Sequence, residues 1–315
     1  MGNIPEPLRA LADTQAGVVS RKQVLGTGLT KAALEWQLGR DRWQSLHPGV
    51  YALFTGQPDR EAALWAAVLW AGPDAMLSHH SAAELARLID EPTRLLHVTV
   101  PASRRVRPAP GLVIHTSLRA DLARHPSWLP PRTRIEETVL DLVGLASTFD
   151  DACGWITRAC GRRLTTEAQL REAMAQRARL RWRDDLAPLL TDPAGGLHSV
   201  LEVRYYRDVE RRHGLPRALR QARVVSGQRT RYRDVLYDKY GVVVELDGRV
   251  AHRNEDKWRD VSRDNAAAAQ GCVTLRYSWV DVTRHPCRTA AEVAQVLTSR
   301  GWSGPLRPCP RCRTV

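Results

Sequence analysis

The run Val242-Val243-Val244-Glu245-Leu246-Asp247-Gly248 places two carboxylates directly after three β-branched residues. Valine packs well on both faces of a central strand, so the run reads as a buried strand that ends in acid. A lone carboxylate taken out of water is costly unless a cation or a proton compensates it. A second alternating segment, Tyr232 to Tyr237, carries Asp234, and the turn Asp238-Lys239-Tyr240-Gly241 joins the two. A hairpin of these strands would set Asp234 beside Glu245. A divalent cation between them accounts for both acids, and hard oxygen ligands on a rigid strand pair suit Mg2+ or Mn2+. Such an ion orients a water, lowers its pKa and neutralises charge on a phosphate. Simple pairing of the two acids with arginines is the competing account.

The elements needed to position these groups follow the stretch Thr191-Asp192-Pro193-Ala194-Gly195-Gly196, which reads as a linker. Ser199 to His213 has the pattern of a helix and carries a third acid, Glu202. Asp260 and Asp264 lie four apart with Arg259 and Arg263 nearby, which is better read as ion pairing on a helix surface. Val273 to Tyr277 reads as a further strand. Charge follows the same division. From Leu197 onward there are 23 Lys and Arg against 13 Asp and Glu, and before it 24 against 21, within a net charge of +13. Basic charge gathered in one region attracts a phosphate backbone. Only Lys22, Lys31, Lys239 and Lys257 are lysines, so the excess is almost wholly arginine.

Ahead of the linker, three short helices are predicted. The first surrounds Leu8, Leu11 and Ala12. The second, Arg21 to Leu25, is capped by Ser20, and the third, Lys31 to Leu38, by Thr30. Two short strands then flank a turn at Pro48-Gly49. This is the layout of a winged helix-turn-helix. From about Arg60 to Leu190 the pattern is α+β: helices at Glu61–Trp70, Ser81–Leu88, Glu136–Leu145 and Glu167–Leu180, and strands at Leu95–Val100 and Leu112–Ile114.

A helix Glu, a strand Asp and then Glu245-Leu246-Asp247-Gly248 resemble the restriction-endonuclease-like PD-(D/E)xK superfamily. More narrowly the chain resembles its Vsr-like (very-short-patch-repair-like) endonuclease domains, over roughly Leu197 to Trp302. The resemblance implies that Asp234 and Glu245 ligate the metal and that Glu202 ligates or orients. The superfamily usually has Lys two residues after the Glu, where this chain has Asp247. The basic role then falls to His252, Lys257 or Arg263. His252 is the preferred general base or proton shuttle, since its charge changes near neutral pH. Arg233, Lys257 and Arg263 would meet the DNA backbone.

Gly17 to Leu25, Gly28-Leu29-Thr30-Lys31 and Trp43 to Tyr51 resemble the winged-helix N-terminus of AbiEi-type antitoxins, which are transcriptional regulators paired with toxins. By that resemblance Lys31, Gln37 and Arg40 face DNA, and Arg42 lies on the approach to the wing. Ser78-His79-His80 resembles a segment that follows the wing in such proteins and is read as a helix start rather than a metal site. Trp36 is read either as a core aromatic or as part of the DNA face.

The six cysteines include the closely spaced pair Cys309 and Cys312. A CxxC alone is half of a zinc site. Cys287 and His285 are candidates to complete it, but free thiols are the leading expectation, ahead of structural Zn2+ or a disulfide. No apolar run of membrane-spanning length and no secretory leader pattern occurs, so a cytoplasmic protein with no membrane partner is expected. The expected fold is an α/β and α+β multidomain chain. It comprises a winged helix over residues 1–55, an α+β middle domain over 56–190, and a restriction-endonuclease-like α/β core with a mixed sheet over 197–315. The expected function is metal-dependent DNA endonuclease, with a non-catalytic DNA-binding regulator of the AbiEi type as the alternative. DNA and a toxin or defence protein are the expected partners.

Overall fold

The structure, a computed structural model, describes residues 4–107, 109–190, 200–226, 229–247 and 271–313. The chain is mixed α and β, and its contacts divide it into two compact units, Met1–Leu142 and Val143–Val315.

The first unit opens with α1 (Glu6–Thr14), β1 (Val18–Ser20), α2 (Arg21–Gly26), α3 (Lys31–Gly39), β2 (Gln44–His47) and β3 (Val50–Ala52). The helix starts follow local chemistry. Ser20 and Gln23 form a reciprocal capping box on α2, and the Thr30 hydroxyl accepts the Ala33 N–H on α3. The three strands form an antiparallel sheet in the order β1-β3-β2. Leu8, Ala12, Val19, Val24, Leu34, Trp43 and Tyr51 form the core beneath it. The unit continues with α4 (Arg60–Ala71), β4 (Met76–Leu77), α5 (His79–Leu85), β5 (Leu96–Pro101), β6 (Leu112–Ser117), α6 (Ala120–Ala123) and α7 (Ile135–Leu145), the last crossing the division. Its second sheet runs β4-β5-β6, with β5 and β6 parallel. Arg104, in the connection after β5, donates to the Ala71 and Pro73 carbonyls (3.0 and 2.7 Å), closing the C-terminus of α4. Gly72, at φ 88°, has no room for a Cβ because the Arg104 guanidinium lies 2.7 Å from where it would stand.

The second unit contains α8 (Phe149–Gly161), α9 (Glu167–Ala175), α10 (Arg183–Leu190) and α11 (Val200–Arg204), which continues as a π-helical stretch, Tyr205–Arg211. After these come β7 (Leu219–Ser226), β8 (Arg229–Tyr237), β9 (Val242–Asp247), β10 (Val273–Ser278), α12 (Trp279–Arg284) and α13 (Pro286–Ser299). The sheet order is β10-β9-β8-β7. β7, β8 and β9 form an antiparallel meander and β10 pairs parallel with β9, so the sheet is mixed. Leu201, Tyr205, Val209, Val235, Tyr237, Val242, Val244, Val282, Val293 and Leu297 fill the core.

The division differs from the boundary expected at residues 191–196, which lie outside the described residues. Helices α8 and α10 are tied by charge to α11 and to the π-helical stretch that continues it. Arg204 holds Asp150 through two bonds (2.5 and 2.9 Å), and Arg211 reaches Asp185 at 3.1 Å. Helix α8 has a start signal that a composition-led reading passes over: Thr148 and Asp151 form a capping box.

Candidate active site and nucleic-acid face

The acids come together through strand register. The paired register of β8 and β9 runs from Tyr237 opposite Val242 to Val235 opposite Val244, and Asp234 and Glu245 are the next residues beyond it. Directly opposed residues of an antiparallel pair present their side chains on one face. The register extends the row in both directions. Leu219 faces Leu236 and Ala222 faces Arg233, which puts Gln221 beside Asp234, while Arg276 pairs with Glu245 across the parallel edge. Four neighbouring strands thus contribute Gln221, Asp234, Glu245 and Arg276 to one polar row.

Helix α11 brings Glu202, a buried side chain, to the same row. Gln221 Nε2 donates to Glu202 Oε1 (3.1 Å) and to Asp234 Oδ1 (3.4 Å), bridging the two acids. The Leu246 N–H donates to Asp234 Oδ2 at 2.8 Å. Glu245 Oε1 accepts from Arg233 Nη1 at 3.0 Å, and the Arg233 side chain is only 5% exposed. Arg233 therefore lies against Glu245 rather than on an open surface. Asp247 is exposed at the end of β9, opposite Ser278. His252, Lys257 and Arg263 lie outside the described residues. Gln221 and Arg276 carry no sequence motif; only pairing with β8 and β9 brings them to the row.

On α3, Lys31 is exposed and pairs with Glu35 at 3.5 Å. Trp36 is 44% exposed, and the Arg42 and Arg40 guanidinium groups lie 4.8 and 5.9 Å from its ring centre. Lys31, Trp36, Arg40 and Arg42 are thus exposed, and Trp36 belongs outside the core. Gln37 is buried. It stands three residues after the buried Leu34 and shares that helix face, so it is not placed to read DNA with them.

Two groups of His and Cys side chains bring their ligand atoms within 4.8 Å of one another: His79, His97 and His115, and His213, Cys287, Cys309 and Cys312. Glu202, Asp234 and Glu245 are not such a group: Gln221 bridges Glu202 and Asp234, while Glu245 is turned to Arg233. The first His group was only partly legible in sequence. His79 and His80 are adjacent, whereas His97 and His115 arrive on parallel strands β5 and β6. His97 Nδ1 and His115 Nε2 share a hydrogen bond at 3.0 Å, and the His79 and His115 rings stack at 3.7 Å with a 17° angle. Nitrogen lone pairs lie in the ring planes, so stacked parallel rings do not aim at one shared ion.

Burial, and then the neighbouring His115 and His80, lower the His97 pKa from 6.5 to about 4. The folded state keeps this imidazole neutral, while the unfolded chain protonates it near pH 6.5. Stability is therefore full above that pH and falls as the pH drops from 6.5 toward 4. For a half-buried, solvent-screened group the loss is about 1–2 kcal/mol. Urea unfolding at pH 7.5 and 5 measures it. His97→Gln should flatten that pH dependence, and an unchanged slope would remove His97 as its cause.

Comparison with protein-family models and with curated proteins gives no match to this chain. Among the described residues, no helix is long and apolar enough to cross a membrane.

Proposed function

We propose that this protein is a metal-dependent DNA endonuclease whose N-terminal winged helix positions the duplex. The observation that carries this reading is that Gln221 ties Asp234 to the helix-borne Glu202, with Glu245 following the last paired residue of the neighbouring strand. The order of acid-bearing elements, helix then strand then strand, accords with the Vsr-like resemblance. Three carboxylates are an oxygen donor set suited in kind to Mg2+ or Mn2+. Asp234 and Glu245 would hold the ion, with Glu202 as a third ligand or as an orienting group. When bound, the ion supplies a lowered water pKa and charge neutralisation at the phosphate.

The chain's own residues do the rest. Leu246 N–H and Gln221 fix the Asp234 carboxylate, limiting the reorganisation needed when a ligand arrives. Arg276, beside Glu245, supplies fixed positive charge in the row and takes the place of the lysine that Asp247 replaces. Supercoiled plasmid incubated with the full chain and Mg2+ or Mn2+ tests this reading: nicking or linearisation is expected, and EDTA should stop it. A folded chain that leaves the plasmid intact with both metals sinks it.

A second reading, a non-catalytic DNA-binding regulator, is favoured by one observation: the exposed surface of Lys31, Trp36, Arg40 and Arg42. Both readings need that surface to meet DNA. Replacing Arg40 and Arg42 together by Gln should weaken duplex binding about 10-fold and reduce the slope of log affinity against log salt by about 2. Fluorescence anisotropy across a salt series measures both. Unchanged affinity and slope would assign the surface to protein contact instead, as with a toxin or defence partner.

A further inference from the structure

We propose that His213, Cys287, Cys309 and Cys312 form a structural zinc site that ties the C-terminal tail to the helices of the second unit. The four residues come from three separated segments. His213 follows the π-helical stretch, Cys287 lies in the first turn of α13, and Cys309 and Cys312 belong to the tail around the single turn Pro310–Arg313. Their four ligand atoms all lie within 4.8 Å of one another.

The spacings are those of a tetrahedron. With Zn–S near 2.3 Å and Zn–N near 2.0–2.1 Å, tetrahedral edges come to about 3.8 Å between sulfurs and about 3.6 Å between sulfur and nitrogen. Cys287 Sγ lies 3.6 Å from Cys309 Sγ, Cys312 Sγ lies 3.8 Å from Cys309 Sγ, and Cys312 Sγ lies 3.6 Å from His213 Nε2. A disulfide needs about 2.05 Å, and three sulfurs in one site cannot all be paired by one.

The histidine is oriented for the task. His213 is 1% exposed, and its Nδ1 lies 3.0 Å from the Val209 carbonyl oxygen. A carbonyl only accepts, so Nδ1 carries the proton and Nε2 turns its lone pair toward the sulfurs. Metal-ligating histidines are commonly held this way.

The donor set selects the metal. Thiolate and imidazole favour Zn2+, whereas Mg2+ wants oxygen. A site filled by four protein ligands leaves no position open for water, so it is structural rather than catalytic. As each metal–thiolate bond forms, the cysteine gives its proton to solvent, and His213 binds as neutral imidazole. Residues 303–309 form neither helix nor strand, and the Arg307 N–H donates to the His213 carbonyl at 2.8 Å. The site shares no residue with the carboxylate row, so the two can be tested independently.

The test uses the full chain purified under reducing conditions without chelator or added metal. Elemental analysis should find about one zinc ion per chain. Replacing zinc by Co2+ should give strong thiolate-to-cobalt charge transfer and the intense visible bands of tetrahedral cobalt. A strong zinc chelator should lower the Tm by about 10 °C and expose the three thiols to a thiol reagent, with recovery on adding Zn2+ but not Mg2+. Cys312→Ser should lose stoichiometric zinc, whereas His213→Cys, which keeps four ligands, should retain it. If Cys312→Ser does not fold, Co2+ titration of the wild-type chain still decides. A folded wild-type chain that binds neither Zn2+ nor tetrahedral Co2+, or zinc content unchanged in Cys312→Ser, would overturn the proposal.

Discussion

Asp234→Asn is expected to lower plasmid cleavage by at least about 100-fold while the protein stays folded. Asparagine has nearly the same shape as aspartate and keeps an oxygen for the Leu246 N–H or for Gln221, which bond the carboxylate at 2.8 and 3.4 Å. What it removes is the negative charge that would hold a divalent cation opposite Glu245. The effect should therefore appear as a higher metal requirement and a lower rate, not as a lower Tm. Glu245→Gln should impair cleavage as much but also destabilise. It takes the charge from Arg233, whose buried guanidinium lies 3.0 Å from Glu245 Oε1, and leaving a buried charge without its partner is costly. Nicking rates over a metal titration, beside thermal melts of both variants, separate the two effects. An Asp234→Asn variant that cleaves at the wild-type rate would show that any nuclease activity comes from elsewhere in the chain.

Asp208→Ala should cost about 3–5 kcal/mol of stability, the range for removing one partner of a buried charge cluster. The Asp208 carboxylate is fully buried and bonded to Arg204 (2.8 Å), Arg207 (2.9 Å) and Arg212 (2.9 Å). Burial alone would raise its pKa, but the bonds from Arg207 and Arg204 outweigh burial and hold it below the usual 3.8. Its contribution is therefore present above that pH and is lost as the pH falls through the lower, folded-state value. Without the carboxylate, Arg207 stays 5% exposed with its guanidinium 3.8 Å from the Phe149 ring centre, which cannot replace a full negative charge. Arg204 still has Asp150. Arg212→Ala is the internal comparison: its side chain is 34% exposed, so its removal should cost only about 0–1 kcal/mol. Urea unfolding of both variants tests the contrast, and near-equal losses would refute it.

What could be read from the sequence was local. Ser20 and Thr30 mark helix starts because a side-chain oxygen answers an N–H two or three residues on, a relation contained in a few consecutive residues. The valine run before Glu245 marks a buried strand, and the turn Asp238 to Gly241 pairs it antiparallel with the strand that carries Asp234. What only the tertiary structure decided depends on pairings between distant segments. Gln37 lies on α3 as expected but turns inward, because the face it occupies is set by what α3 packs against. Arg233 sits beside the acids but is buried on Glu245. His97 and His115 join His79 only because β5 and β6 pair in parallel across an intervening connection. Arg276 and Gln221 reach the acid row from strands with no motif of their own. Cys312 finds His213, 99 residues earlier, because the tail folds back onto the end of the π-helical stretch. Periodicity and capping act over a few residues. Register across a sheet and the return of a tail depend on burying a common core, and no short stretch of sequence carries that information.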